Sequence, residues 1–491
     1  MKLPVLFIVL CSSTSLWAQS VATVAPNDTC RKIDEYLSNL SRDRNFSGGL
    51  LILKRGKRIF SKGYGWANRE AKIAFTPGTP ASIGSITKAF TATAILKLYE
   101  QGKLDLNDPL KKFFPTVPAD KAGITIHQLL THSAGFREFL VGDEGDFEKI
   151  ETEKFISRAF REPLAFVPGT KSVYTNVGYS ILGIIIEKVS GQDYESYLKA
   201  VILKPAGVAG ISYFAGEADN NLIAVGYQNS VPWGTHPKHF AAAGGGPYWN
   251  LKANGGLEAS LSDMERWVIQ IDNHTILNAT TTNLMFSPLV KEEGYEGRSF
   301  FGYGCNISQS RRNTKMIDNG GSNGIYFARL IRLPQEGLVF YMVTNESTIN
   351  TNQVLPNVTQ LYFLGTIEQD ALAMKPRFEH PLAEKLYDIL VNNQFVSLRQ
   401  ELKKRNISVD DDMILLNAGQ ILTQEGRPEK ARILYEFYTT EFPSIVVAWN
   451  DLGDIYRALN REAEARKCYQ QALVLRPNNP RAKAALERKQ D

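Results

Sequence analysis

The chain has 491 residues, 43% hydrophobic and 22% charged, the proportions of a globular protein long enough for about three domains. Wholesale disorder, collagen-like structure and a multi-span membrane protein are excluded on that ground. Lys+Arg 56 against Asp+Glu 51 leaves +5 over the whole length, too dilute for a nucleic-acid-binding surface.

Met1 and Lys2 lead into an apolar run from Leu3 to Leu10, then small and polar residues up to Ala18. This is the layout of a cleavable secretory signal, residues 1–18, and it implies a periplasmic or secreted mature protein. The run is too short to span ~30 Å of hydrocarbon, so no integral membrane segment is expected after cleavage. A lipid on Cys11 is the weaker alternative, because Leu10 before it fits that motif poorly. Cys30, Cys305 and Cys468 remain, scattered and without the close pairs of a zinc or redox site. Three unpaired thiols are the plain reading, although export would permit a Cys30 to Cys305 bridge. His236 and His239 fall one residue short of His-x-x-x-His spacing, and no metal or other cofactor is expected.

Residues 28–45 carry a helical pattern. Leu50 to Leu53 and Arg58 to Phe60 flank Arg55-Gly56-Lys57 and read as a hairpin. A second hairpin is expected from Ile325–Leu333 and Leu338–Thr344 around Pro334-Gln335-Glu336-Gly337. Between the hairpins the chain is mostly helical, with Gly-rich loops such as Ala241 to Pro247. Strands at both ends and helices between them predict an α+β domain over 19–366, an antiparallel sheet flanked by helices with an inserted helical lobe.

Strand signals stop near residue 367, and a period of about 34 residues then relates 412–445 to 446–479. In the second copy Trp449, Leu452, Gly453, Tyr456, Ala465, Tyr469, Ala472 and Pro477 resemble the tetratricopeptide signature, and the first copy offers Gly419, Ala431, Tyr435 and Pro443. An all-α repeat domain with a C-terminal helix is therefore expected over 412–491. Leu382 to Arg405, within a linker at 367–411, is expected to cap it, because two repeats alone leave apolar faces open. A repeat module of this kind implies a protein partner.

Chemistry is concentrated in three motifs. Ser85 and Lys88 sit three apart at the start of an apolar, helix-favouring run that ends at Glu100. One helical turn brings the amine to the hydroxyl, and the helix start places positive partial charge where an oxyanion would form. Ser-x-x-Lys is common on its own, and its context decides. In order along the chain come Gly63-Tyr64-Gly65, Ser82 to Phe90, Gly102 to Asp108, Leu129 to Gly135, Pro168-Gly169, Tyr174 to Tyr179, Leu182-Gly183 and Gly255-Gly256-Leu257. Residues 45–350 on this evidence resemble the penicillin-binding protein and class C β-lactamase family of serine hydrolases. The resemblance implies a β-lactamase/transpeptidase-like fold with Ser85 as acylated nucleophile, Lys88 and Tyr174 as proton relay, and Tyr174 with Asn176 as the Tyr-x-Asn motif. It leaves open which of Lys88 and Tyr174 is the base. His132, beside Ser133, is expected to serve a structural turn rather than a Ser-His dyad.

The third motif departs from the family. Lys-Thr-Gly or His-x-Gly is expected on a strand, and the stretch that aligns is Asp318-Asn319-Gly320-Gly321-Ser322-Asn323-Gly324-Ile325. An oxyanion hole from the Ser85 and Gly321 N–H groups survives the change, because it needs no side chain at 318. Asp318, with Asn319 and Gly320 as substrate-binding residues, is expected to repel carboxylate-bearing substrates. The expected function is an exported serine hydrolase acting through an acyl-serine on a small ester, amide or D-amino-acid peptide, an esterase or peptidase rather than a true β-lactamase. The alternative is a weak or inactive β-lactamase-like scaffold whose repeats bind the partner.

Overall fold

A computed structural model describes residues 26–487 apart from 45, 142–144, 209, 215–221, 229–230, 295–297, 348–350, 368–380, 394–396, 410–411 and 478. The expected signal, its cleavage site and Cys11 lie outside the described residues. Helix α1 (Pro26–Arg44) precedes strands β1 (Gly48–Lys54) and β2 (Lys57–Tyr64). Lys54 pairs with Lys57 across Arg55 and Gly56, both at positive φ (49° and 71°), the backbone that lets a two-residue turn follow strand twist. The sheet continues with β3 (Val290–Lys291), β4 (Ser299–Phe301), β5 (Asn306–Gln309), β6 (Lys315–Ser322), β7 (Phe327–Leu333) and β8 (Leu338–Thr344). Its order is β2-β1-β8-β7-β6-β5-β4-β3, antiparallel at every pairing.

Both faces of this sheet are covered, which is why β1 and β8 read as continuous apolar runs rather than alternating ones. Leu50, Ile52, Phe340 and Met342 pack on one face against Ile33 and Leu37 of α1 and Val354, Leu355 and Val358 of α6 (Thr351–Leu364). Leu51, Leu53, Val339, Tyr341 and Val343 turn to the other face. There they meet the helical lobe, whose main helices are α2 (Thr87–Glu100), α3 (Asn176–Ser190), α4 (His236–Ala242) and α5 (Leu261–Asp272). The α+β architecture expected from the sequence is the one found.

Beyond the sheet domain all described elements are helices: α7 (Pro381–Asn392), α8 (Leu398–Lys404), α9 (Asp412–Gln424), α10 (Pro428–Glu441), α11 (Val446–Ala458), α12 (Glu462–Leu475) and α13 (Pro480–Glu487). Leu386 and Leu390 of α7 and Leu398 and Leu402 of α8 share one core with Leu415, Leu422, Leu434 and Tyr435. A Cβ on Gly419 would sit 2.7 Å from the Tyr435 ring, and one on Gly453 would sit 2.6 Å from the Tyr469 ring. The repeat thus preserves a glycine–tyrosine contact, not only a residue pattern. Cys30, Cys305 and Cys468 are free thiols, and Asn345, in an Asn-x-Ser sequon, is buried with its amide bonded to Val225 O at 2.8 Å. Among the described residues no helix is long and apolar enough to cross a membrane.

Candidate active site

Ser85 lies in a single 3₁₀ turn, Gly84–Ile86, that runs directly into α2. The turn is clamped to β6: a Cβ on Gly84 would meet Ser322 N at 2.7 Å, and one on Gly321 would meet Ile83 O at 2.0 Å and Ser85 N at 2.9 Å. Only glycine at both positions allows the two backbones to approach this closely. The backbone of β6 at Gly321 is thereby brought against Ser85.

Ser85 Oγ accepts a hydrogen bond from Tyr174 OH at 2.7 Å, and Lys88 Nζ lies 3.2 Å away. Lys88 Nζ also donates to Asn176 Oδ1 and to the Asn254 carbonyl oxygen, both at 2.7 Å. The structure therefore brings Ser85, Lys88, Tyr174 and Asn176 together. Asn254 was missed by sequence reasoning, which stopped one residue short at Gly255-Gly256-Leu257. It contributes through its backbone, and only the Ala253 φ of +70°, unusual for a residue with a Cβ, marks the turn that aims its carbonyl.

Lys88 is only 3% exposed. Burial pushes its pKa well below the usual lysine value, and the acidic side chains of Glu138 and Asp146 oppose this only in part. Burial also raises Tyr174, with the Ser85 hydrogen bond pulling the other way. Both shifts favour neutral forms. A neutral amine has two hydrogens, one for each of Asn176 Oδ1 and Asn254 O, and a lone pair left for Ser85.

Tyr174 is held in place by His132. The imidazole stacks on the phenol with centroids 4.8 Å apart, Nδ1 accepts the Thr175 N–H at 3.1 Å, and the His132 carbonyl accepts the Val173 N–H at 3.0 Å. His132 sits at φ +58°, so it is the expected structural turn, and it positions the tyrosine from both neighbouring residues. Burial holds its pKa well below the ordinary histidine value. Thr175 then caps α3, accepting the Gly178 N–H at 3.2 Å.

Asp318 is not part of this cluster, which corrects its expected place. It pairs with Ile331 on the sheet face covered by α1 and α6, where Arg329 grips its carboxylate at 2.6–3.2 Å. Side chains alternate along a strand, and Asp318 is three residues from Gly321, so the two face opposite ways. Gly320 shares the face of Asp318 and is exposed. Asn319 shares the face of Gly321, but it is buried and its amide is used on Gly304 O at 2.6 Å. The bare anion expected at the acyl site is an ion pair on the other side of the sheet.

The model of the Beta-lactamase family matches residues 33–359, and that of the tetratricopeptide repeat matches 446–479. "Protein flp" of Staphylococcus aureus (strain N315) is 31% identical over 250 residues, 49% of this chain and 49% of its own. The "putative penicillin-binding protein PbpX" of Bacillus subtilis is 34% identical over 195 residues, 40% of this chain and 48% of its own. The match thus spans about half the length of these curated relatives. Among solved structures, the octameric penicillin-binding protein homologue from Pyrococcus abyssi is 28% identical with TM-score 0.60, over 74% of this chain and 81% of that one. EstCE1, described as a hydrolase with promiscuous acyltransferase activity, is 18% identical with TM-score 0.60 over 69% of this chain and 99% of that one; this likeness shows the fold alone.

Proposed function

The chain belongs to the beta-lactamase family, and from that premise we propose that it is an exported serine hydrolase that cleaves small esters, amides or D-amino-acid peptides through an acyl-Ser85 intermediate. The observation that carries the reading is the double contact at Ser85 Oγ, with Tyr174 OH at 2.7 Å and Lys88 Nζ at 3.2 Å. Neutral Lys88 takes the Ser85 proton as Oγ attacks the carbonyl carbon. The Ser85 and Gly321 N–H groups receive the developing oxyanion. Tyr174, on the other flank of Oγ, passes its proton to the leaving group and is reprotonated from the Lys88 ammonium. Water then attacks the acyl-serine with the same groups acting in reverse, which restores Ser85.

Asp318 is bound to Arg329 on the opposite sheet face and takes no part in this chemistry. The tetratricopeptide repeat supports a protein partner for the C-terminal domain. The test is labelling by a fluorophosphonate probe and turnover of a p-nitrophenyl ester, each with wild type and Ser85→Ala. Labelling and turnover lost in Ser85→Ala are the expected result; turnover that survives Ser85→Ala removes the serine, and a wild type that is neither labelled nor active leaves the scaffold reading.

A further inference from the structure

A second buried polar cluster lies beside the Ser85 site and is unused by the chemistry above. Glu258 and His236 are both 0% exposed. Glu258 Oε1 lies 3.8 Å from His236 Nδ1, too long for a hydrogen bond. Among the described residues neither Glu258 oxygen nor Nδ1 has a hydrogen-bond partner. On the far side of the ring, His236 Nε2 lies 3.3 Å from Asn323 Nδ2. Asn323 Oδ1 accepts the N–H groups of Ile325 and Tyr326 at 3.1 and 2.9 Å. That fixes the amide orientation: Nδ2 faces the ring, Nε2 is the acceptor, and the imidazole proton belongs on Nδ1, toward Glu258. Burial keeps both groups neutral, raising the Glu258 pKa well above the carboxylate range and pushing His236 down to about 3, with His239 adding to the latter.

The three residues join the two backbone segments of the candidate oxyanion hole. Glu258 pairs with Ser82 in a two-strand ribbon, and the adjoining Leu257 O accepts the Ile83 N–H at 2.8 Å; Ser85 follows two residues later. Asn323 opens the turn from β6 to β7 two residues after Gly321. Tyr326 closes that turn, with its ring stacked on His236 at a centroid distance of 5.7 Å and its hydroxyl bonded to Ala224 O at 2.8 Å. Apolar side chains of similar shape would fill this space without burying unpaired polar atoms, so the cluster contributes direction rather than stability.

We propose that His236 and Asn323, packed against Glu258, form a buried positioning chain that holds the β6–β7 turn, and with it the Gly321 N–H, in register with the Ser85 N–H. The proposal rests on the acyl-Ser85 reading. None of the three touches the reacting atoms, so each is a positioning residue whose loss lowers the chemical rate and leaves substrate binding in place. His236→Phe keeps the stacked ring and removes the acceptor. Asn323→Ala removes the donor from a half-buried turn position.

The experiment measures kcat and KM for a p-nitrophenyl ester, and the rate of fluorophosphonate labelling, in the full chain carrying each substitution and both. Each single variant is expected to lower kcat and the labelling rate about tenfold or more, as small misplacements at acyl sites do, with KM within about twofold. The double variant should be no slower than the slower single one, because both break the same chain. An unchanged kcat, an effect carried by KM, or single effects that multiply in the double variant overturns the proposal. Where His236→Phe fails to fold, the kcat-against-KM split of Asn323→Ala decides by itself. Ser85→Ala run in parallel separates the two ideas: Ser85-dependent turnover indifferent to these variants sinks only the chain, whereas turnover or labelling independent of Ser85 sinks the acyl-serine reading and the chain together.

Discussion

Asn176→Asp tests the state of Lys88 most directly. Asn176 Oδ1 lies 2.7 Å from Lys88 Nζ, so the substitution places a carboxylate against the amine without changing its shape. At an effective dielectric of about 20, unit charges about 3 Å apart attract by roughly 5 kcal/mol, about 4 pKa units. Desolvating the new carboxylate offsets roughly half, which leaves Lys88 raised by about 2 units. The sign follows from the mechanism: a base must be unprotonated, so raising its pKa moves the acid limb of kcat/KM to higher pH. At neutral pH the variant should lose up to roughly a hundredfold in kcat/KM and recover in alkaline buffer. The assay is a pH profile of ester hydrolysis from about pH 5 to 10, with Asn176→Ala as the uncharged control. An acid limb in the wild-type position with Asn176→Asp would refute Lys88 as the titrating base and return that role to Tyr174.

Gly321→Ala should cost at least about a hundredfold in kcat, because its Cβ would sit 2.0 Å from Ile83 O and push β6 away from Ser85; circular dichroism should show the fold retained, and wild-type kcat would show that the Gly321 backbone is not an oxyanion donor. Asp318→Asn should leave the ratio of kcat/KM for a carboxylate-bearing β-lactam and a neutral ester unchanged within about twofold, since Arg329 and the opposite sheet face already separate that charge from the cleft. A changed ratio would place Asp318 within reach of substrate. Gly453→Ala should destabilise the repeat domain by about 1–3 kcal/mol, read as a lowered thermal midpoint with ester hydrolysis unaffected, because the new Cβ would stand 2.6 Å from the Tyr469 ring.

The parts of the site legible in the sequence are those in which side-chain identity does the chemistry at a spacing that secondary structure fixes. Ser85 and Lys88 are one helical turn apart, and Tyr174 and Asn176 sit at the entry of a helix whose cap, Thr175, lies between them. The glycine–tyrosine contacts of the repeats were legible for the same reason, since Gly419 and Tyr435 recur as Gly453 and Tyr469. What remained hidden works through backbone atoms or across strands. The Asn254 carbonyl at Lys88 depends on a local φ rather than on a side chain. The His236 to Asn323 contact joins residues 87 apart in sequence, and no local pattern encodes it. His132 was legible as a turn, but not as the ring on which Tyr174 rests.

Asp318 shows how a motif can be aligned along the chain and still be misplaced in space. Lys315 lies three residues from Asp318, an odd offset that points the two side chains to opposite faces. Gly321 is separated from Asp318 by the same odd offset, so one rule applied twice puts the acid and the oxyanion backbone on opposite faces. The structure agrees, with Gly321 against Ile83 and Ser85, and Asp318 beside Ile331 under α1 and α6. Arg329, eleven residues further on, becomes its partner only because β6 and β7 pair in the register that sets Gly320 opposite Arg329. A strand beside Ser85 can thus turn a bare glycine toward the serine on one face while its side chains form ion pairs on the other. Substrate charge preference must then come from groups that share the face of Gly321, not from position 318.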